Sequence, residues 1–259
     1  MELTNDNYFS PSMTSQYWSV SLFKAFNKCE ACGLAQARNE YEREMTDALL
    51  IGSYVDAYFS GEMEKFTDKY GLLMFKKNGE LLAKFDQANK IIEAILNQPL
   101  MMDFLYGDKQ VVMTADLFEV PWKGKIDVLD LDKGRIVDLK CVRNFDDVYD
   151  SGYGWRSWIE YWGYDIQGAI YQKLVEENTG KKLPFYIVAA TKEKVPDKKI
   201  IQIPQHILDA AYKLVEAKID RFDLIKQGEI DPTRCEKCSY CKQTKVLTVP
   251  EIYEIKEAV

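Results

Sequence analysis

The sequence predicts an α/β fold in which a central mixed β-sheet is flanked by helices, and three observations carry that expectation. A helical apolar pattern gives way to three consecutive short strand patterns, followed by helix, strand and helix, an order proper to α+β or mixed α/β architectures. No internal repeat, low-complexity tract or Pro/Gly/Ser-rich linker divides the 259 residues, so one domain over 1–259 with a cysteine-bearing C-terminal flap is expected. A chain of that length buries roughly 70–75% of its unfolded surface, enough for one sizeable core.

From Thr46 to Phe59, Ala48, Leu49, Ile51, Val55 and Phe59 crowd one broad face at helical spacing. A more polar helix is expected from Leu81 to Leu96. The period then changes to strands at Val111 to Leu117, Gly124 to Leu131 and Arg135 to Cys141, the last two joined by the turn Asp132-Lys133-Gly134. A helix from Tyr161 to Glu177, a buried strand in PFYIVAAT from Pro184 and a long helix from Ile207 to Gln227 follow.

Hydrophobic residues at 47% and charged residues at 29% exclude general disorder and fibrous classes. No apolar run approaches the ~18–20 residues of a membrane span, and MELTNDNYFSPS lacks the layout of a secretory signal, so a cytoplasmic protein is expected. The net charge of −7 speaks against a uniformly basic, indiscriminate nucleic-acid surface and leaves room for a local basic groove. No G-x-x-x-x-G-K-[ST] loop is present, and a hydrolase triad would have to use the single histidine, His206, which reads as a helix-start residue after Pro204.

Chemistry concentrates in GKIDVLDLDKGRIVDLK, Gly124 to Lys140. Alternation puts Asp138 and Lys140 on one strand face, and Cys141 on the other, in the core. If Asp130 pairs with Arg135 across the turn, Asp127 lies directly opposite Asp138, with Cβ atoms about 4.5–5.5 Å apart. Carboxylates so close repel unless a cation lies between them. Phosphodiester hydrolysis needs such parts: oxygen ligands for Mg²⁺ or Mn²⁺ and a nearby ammonium to orient water or offset developing charge. An isolated D-x-K is ordinarily a surface ion pair; here the upstream Asp and the meander distinguish it.

With these residues, YWSVSLFKAFNKCEACGLA from Tyr17, ALLIGSYVDAYFSG from Ala48, YDIQGAIYQ from Tyr164 and CEKCSYCKQTK from Cys235, the chain resembles the PD-(D/E)xK nuclease superfamily, and within it the phage RecE-like exonucleases related to RecB-type domains. The resemblance implies a PD-(D/E)xK nuclease core, Asp127 and Asp138 as metal ligands with help from the Leu139 carbonyl, and Lys140 acting on the attacking water. Relatives commonly carry His in a G-x-x-x-H helix motif where this chain has Asp56, which ligates Mg²⁺ naturally through oxygen; its alternative is a polar residue on the exposed side of a core helix. Gln167 and Tyr171 match the Q-x-x-x-Y motif beside the family's active site and would otherwise be helix surface.

Cys235-x-x-Cys238-x-x-Cys241 is tight spacing for three thiolate ligands and leaves a fourth wanting. The family resemblance implies Cys29 as that fourth, around an iron–sulfur cluster of the [4Fe–4S] kind; Cys32 competes, Zn²⁺ is the alternative metal, and reduced metal-free cysteines are the remaining reading. Between Arg143 and Trp162 the chain is rich in aromatics and glycine, a composition able to stack bases. Trp155, Trp158 and Trp162 also fit helix packing at i, i+3 and i+7, which is the preferred reading for those three, and Arg143 and Arg156 are the phosphate candidates. The expectation is a DNA exonuclease, implied by resemblance to digest linear duplex from the 5′ end for a RecT-like annealing partner in phage-type recombination or repair, with homo-oligomerisation open. The alternatives are a structure-selective or restriction endonuclease on the same core, or an inactive DNA-binding recombination scaffold.

Overall fold

The computed structural model describes residues 2–250; Met1 and residues 251–259 of the expected 1–259 domain lie outside the described residues. Helices come first: α1 Pro11–Gln16, α2 Val20–Lys28, α3 Glu30–Ala37, α4 Asp47–Ser60, α5 Met63–Met74, α6 Lys84–Leu96 and α7 Pro99–Phe104. Strands β1 Asp108–Leu117, β2 Val120–Asp130 and β3 Arg135–Val142 follow, then a hairpin of β4 Val148–Asp150 and β5 Gly154–Arg156. Next come α8 Trp158–Tyr161, α9 Tyr164–Thr179, β6 Phe185–Thr191, β7 Lys198–Gln202, α10 Gln205–Gln227 and α11 Ser239–Gln243.

Among the described residues, five strands form one sheet in the order β1-β2-β3-β6-β7. Neighbours are antiparallel except β3 and β6, which run parallel because the chain crosses over through α8 and α9 between them. Strand alternation divides the apolar residues into two cores. Ile136 and Ile187 join Phe23, Trp122, Ile170, Leu174 and Phe222 on the face covered by α2, α9 and α10. Val137, Leu139 and Val188 join Leu50, Val55, Phe85 and Ile91 on the face covered by α4 and α6. Strand β3 is thus clamped from both sides, so displacing it would open two cores at once.

Helix α4 starts where expected because the Thr46 hydroxyl accepts from the Leu49 N–H, and it stops at Gly61 with φ 78°. The helix expected from Tyr161 is instead broken at Gly163, whose φ is 63°; a Cβ there would also lie 2.8 Å from Lys24 Cδ. Elements outside the predicted set have weak periodic signals: α5 buries only Phe66 and Met74, and β7 is a lysine-bearing edge strand with no fully buried residue. Trp155 and Trp162 correct the helix-packing expectation. Trp155 lies on β5 and both are exposed, while Trp158, at the start of α8, is buried. No helix among the described residues is long and apolar enough to cross a membrane.

Candidate active site

Asp138 and Lys140 share the face of Ile136 and Val142, toward α9. Asp138 is fully buried; its Oδ1 accepts from Gln167 Nε2 at 2.7 Å, and Lys140 Nζ lies 2.5 Å from its Oδ2. Lys140 is the only partner of Oδ2 among the described residues, so this buried carboxylate oxygen keeps one further acceptor direction open. An acceptor held there at the cost of its hydration is what a hard cation would satisfy.

Asp127 reaches the same place by a break in the strand. The expected Asp130–Arg135 pair forms, but the β2–β3 ladder ends at Val128↔Val137, one pair short of Asp127 and Asp138. Ile126 belongs to one core, Val128 to the other and Leu129 to the first again, so alternation switches at Asp127. On β1, Gln110 adopts φ 51° and drops out of the pairing opposite. Asp127 is therefore not a simple cross-strand partner of Asp138. Its Oδ2 accepts the Leu139 N–H at 2.9 Å across the gap. In an extended strand the C=O of a residue points to the same side as its N–H, so the Leu139 carbonyl faces that gap too.

Asp56 comes from α4, on the other side of the sheet. It is half-buried rather than on an exposed helix side, and Gln110 Nε2 donates to its Oδ1 at 3.4 Å. Burial, reinforced by Asp127, pushes the Asp56 carboxyl up to about 7. Burial does the same to Asp138, also to about 7, with Asp127 adding to the rise and Lys140 opposing it. Burial alone would lower the Lys140 ammonium, but Asp138 and Asp127 outweigh it and raise it. Asp56, Asp127 and Asp138 share one region with Lys140, while Lys24, Lys109 and Lys125 also act on them; a bound divalent cation would offset the repulsion among the carboxylates. The three carboxylates do not draw within 4.8 Å of one another as the cysteine sulfurs do, as expected of like charges whose inner oxygens are engaged by Leu139 and Lys140.

Gln167 and Tyr171 stand one turn apart on α9. The helix approaches β2 so closely at Gly124 that a Cβ would meet Leu174 Cδ1 at 2.5 Å and Tyr171 Cε1 at 3.2 Å. Tyr171 is buried beside Gln167, which it helps hold against Asp138. Two site residues were not singled out from sequence. The Tyr164 ring lies 5.4 Å from Lys140 Nζ, and Lys24 donates to the Trp162 carbonyl at 3.0 Å. Burial, then the Lys140 charge, lowers the Lys24 ammonium to about 8. A lysine one residue after Phe23 and two before Phe26 was the available signal. Arg143 is exposed just past β3, and Arg156 is half-buried with its guanidinium 5.3 Å from the Tyr153 ring centre. Cys141 packs on the α4 side, half-buried, with its thiol raised to about 12 by burial. His206 is exposed in the first turn of α10.

A second cluster joins distant parts of the chain. The sulfurs of Cys29, Cys235, Cys238 and Cys241 all lie within 4.8 Å of one another, with Cys29–Cys241 at 3.6 Å and Cys235–Cys241 at 3.9 Å. Cys32 stays outside the set, its sulfur accepting from Gln36. The Cys238 N–H donates to Cys235 Sγ and the Cys241 N–H to Cys238 Sγ. Burial opposes ionisation of Cys235, but backbone N–H donors from Lys237 and Cys238 bring its thiol to about 6. Four converging thiols with such donors can hold a metal.

Comparison with known proteins bears on the fold. A solved structure from Eubacterium rectale, named "Putative exonuclease", is similar at 40% identity over 97% of each chain, with a TM-score of 0.92. A second, SSO0001, aligns at 15% identity over 85% of this chain and 91% of the other with a TM-score of 0.32, too low to inform the fold. No curated protein matches. Residues 19–244 match the model of the PDDEXK-like domain of unknown function, DUF3799. The mixed five-stranded sheet with its flanking helices is accordingly a PD-(D/E)xK nuclease fold, and the chain belongs to the PDDEXK-like DUF3799 family.

Proposed function

We propose that this chain is a Mg²⁺- or Mn²⁺-dependent deoxyribonuclease that degrades linear duplex DNA as an exonuclease. The observation that carries the proposal is the grouping of three carboxylates, Asp56, Asp127 and the fully buried Asp138, around Lys140, which is paired with Asp138 Oδ2 at 2.5 Å. Asp56, Asp127, Asp138 and the Leu139 carbonyl would hold the cation, which when bound polarises the phosphate and acidifies water. Lys140 positions the attacking water and offsets charge developing on the phosphate. Gln167, backed by Tyr171, keeps Asp138 in one rotamer. Arg143 and Arg156 contact phosphates outside the metal site. The exonuclease reading draws on the name of the Eubacterium rectale protein; the 5′ polarity, the RecT-like partner and a recombination or repair setting rest on the resemblance alone. End-labelled linear duplex should be digested with Mg²⁺, circular duplex should survive, and EDTA should stop the reaction. Cleavage of the circle would make it an endonuclease, and no cleavage of either an inactive scaffold.

The cysteine centre is proposed as a structural staple. A Zn–S bond of about 2.3 Å sets sulfurs about 3.8 Å apart at tetrahedral angles, close to the 3.6 and 3.9 Å separations. This spacing favours a single Zn²⁺ over a [4Fe–4S] cluster, which would hold its cysteines farther apart. Because Cys29 and Cys241 are 212 residues apart, losing a ligand should destabilise the whole fold. Cys238→Ser is expected to cost about 3 kcal/mol and lower Tm by about 10 °C. Metal analysis of the anaerobically purified parent should find one zinc; iron with sulfide would restore the cluster, and no metal with an unchanged Tm would remove the staple.

A further inference from the structure

The segment after β3 leaves just beyond Lys140 and returns at Tyr164 beside it, so both of its ends are fixed at the candidate active site. Rings connect its body to that site: Phe145 packs on Trp158 at 5.4 Å, and Trp158 on Tyr164 at 5.8 Å. Above this layer stands the β4–β5 hairpin. Val148 turns toward the core, while its neighbour Tyr149 lies directly across from Trp155 with rings edge-on at 5.6 Å and 70°. Tyr149 is 62% exposed, Trp155 72% and Tyr153, at the tip, 78%. Aromatics that packed as core would be covered; here all three stay mostly exposed, and Trp162 at the foot of the segment is also exposed.

We infer that this hairpin is a stacking platform for unpaired nucleobases, holding a single-stranded stretch of DNA beside the cleavage site. The inference rests on the nuclease reading of that site and narrows its substrate: the DNA must present unpaired bases there. Base faces are hidden inside a duplex stack and available in a single strand, and aromatic rings take them without regard to sequence. Contacts run from Lys140 to Tyr164, from Tyr164 to Trp158, and from α8 to β4, so a strand stacked on Trp155 continues toward the cleavage site. The bases of such a strand fall to the rings and its phosphates to Arg143 and Arg156. Arg143 and Arg156 are offset on the same segment by Asp146, Asp147 and Asp150, and the chain carries a net −7. The ring faces should supply the part of the affinity that persists as salt is raised and counterion release at the phosphate contacts fades.

The test is fluorescence anisotropy of labelled oligothymidine and of a blunt duplex, without added divalent metal so that binding is read apart from cleavage. Trp155→Ala is expected to weaken oligothymidine binding roughly tenfold and the Tyr149→Ala/Trp155→Ala pair further, with duplex binding changed less than about threefold. Trp155→Phe should restore most of the loss, and Tm should not move because these rings are solvent-facing. Unchanged single-strand binding in the double variant overturns the inference. So does a parent dimer that the double variant converts to monomer with oligothymidine binding intact, since a second copy would then cover the rings. Digestion of linear duplex by the parent with unaltered binding in the variants sinks the hairpin alone; ring-dependent binding without any cleavage sinks the nuclease reading alone.

Discussion

Asp138→Asn is expected to lower phosphodiester hydrolysis by at least about 10³-fold while its thermal stability relative to the parent rises with pH in metal-free buffer. The two effects have one cause. Asp138 is fully buried, and that burial, with Asp127 adding and Lys140 opposing, puts its folded carboxyl at about 7, against a usual value near 4. Below about pH 4 the group is protonated in both folded and unfolded chains, and its burial then carries no charge penalty. As pH rises from about 4 to 7, the unfolded chain releases the proton and the folded chain retains it, so stability falls across that window. Above about 7 the penalty is constant. Asparagine keeps the acceptor for Gln167 and removes the titration, though its amide nitrogen then faces Lys140, so the variant's stability relative to the parent should rise by a few kcal/mol, or several degrees in Tm, between pH 4.5 and 7.5. Added Mg²⁺ should stabilise the parent and leave the variant unmoved. Asp127→Ala should lose activity similarly but also free the Leu139 N–H, which makes it the less clean experiment. Near-normal cleavage by Asp138→Asn, or a parent whose melting is flat from pH 4.5 to 7.5, would count against the assignment.

The contrast between Asp138 and Asp127 indicates what sequence can carry. Asp138 and Lys140 were legible because a two-residue period and a buried strand are enough to place both side chains on one face, and the turn at Asp132-Lys133-Gly134 set the register through Asp130 and Arg135. Asp127 was legible as a residue but not in its geometry. Its position depends on alternation switching between Ile126 and Val128, and no local pattern records that Gln110, seventeen residues earlier, leaves the ladder at φ 51°. Lys24 fell outside the set for a similar reason: its burial is made by Gly163 and Trp162, more than a hundred residues away. The tryptophans failed differently. An i, i+3, i+7 spacing satisfies a helix, but the glycines at 152 and 154 permit a hairpin that takes Trp155 out of any helix and leaves its ring in water. The four-cysteine set lay between these cases, since spacing supplied three ligands and only the packing of α3 against α11 separates Cys29 from Cys32.

Lys140→Ala is expected to lower kcat by about 10²-fold or more with Mg²⁺ affinity little changed above pH 8. The ammonium carries no ligand atom, so its loss removes the group that orients water and offsets developing charge without removing an oxygen from the metal site. Its loss does alter protonation. Lys140 holds the Asp138 carboxyl below where burial alone would put it, so in the variant Asp138 should titrate higher and half-saturation with Mg²⁺ should move toward alkaline pH. Raising the pH should then recover metal binding and not turnover, a split that simple collapse of the site would not produce. Lys24 provides an internal control. It lies one layer away, tied to the Trp162 carbonyl, and its own ammonium is lowered in part by Lys140. Lys24→Met should reduce kcat only about tenfold, and in the Lys140→Ala background Lys24 should titrate higher. Because its carbonyl anchor keeps it from moving into the vacated position, Lys24 should not restore the rate. Isothermal titration with Mg²⁺ across pH 6 to 9, paired with single-turnover cleavage, separates these quantities. Preserved turnover at saturating Mg²⁺ in Lys140→Ala, with metal binding lost at every pH, would make Lys140 a structural counter-charge to Asp138 and remove it from the chemistry.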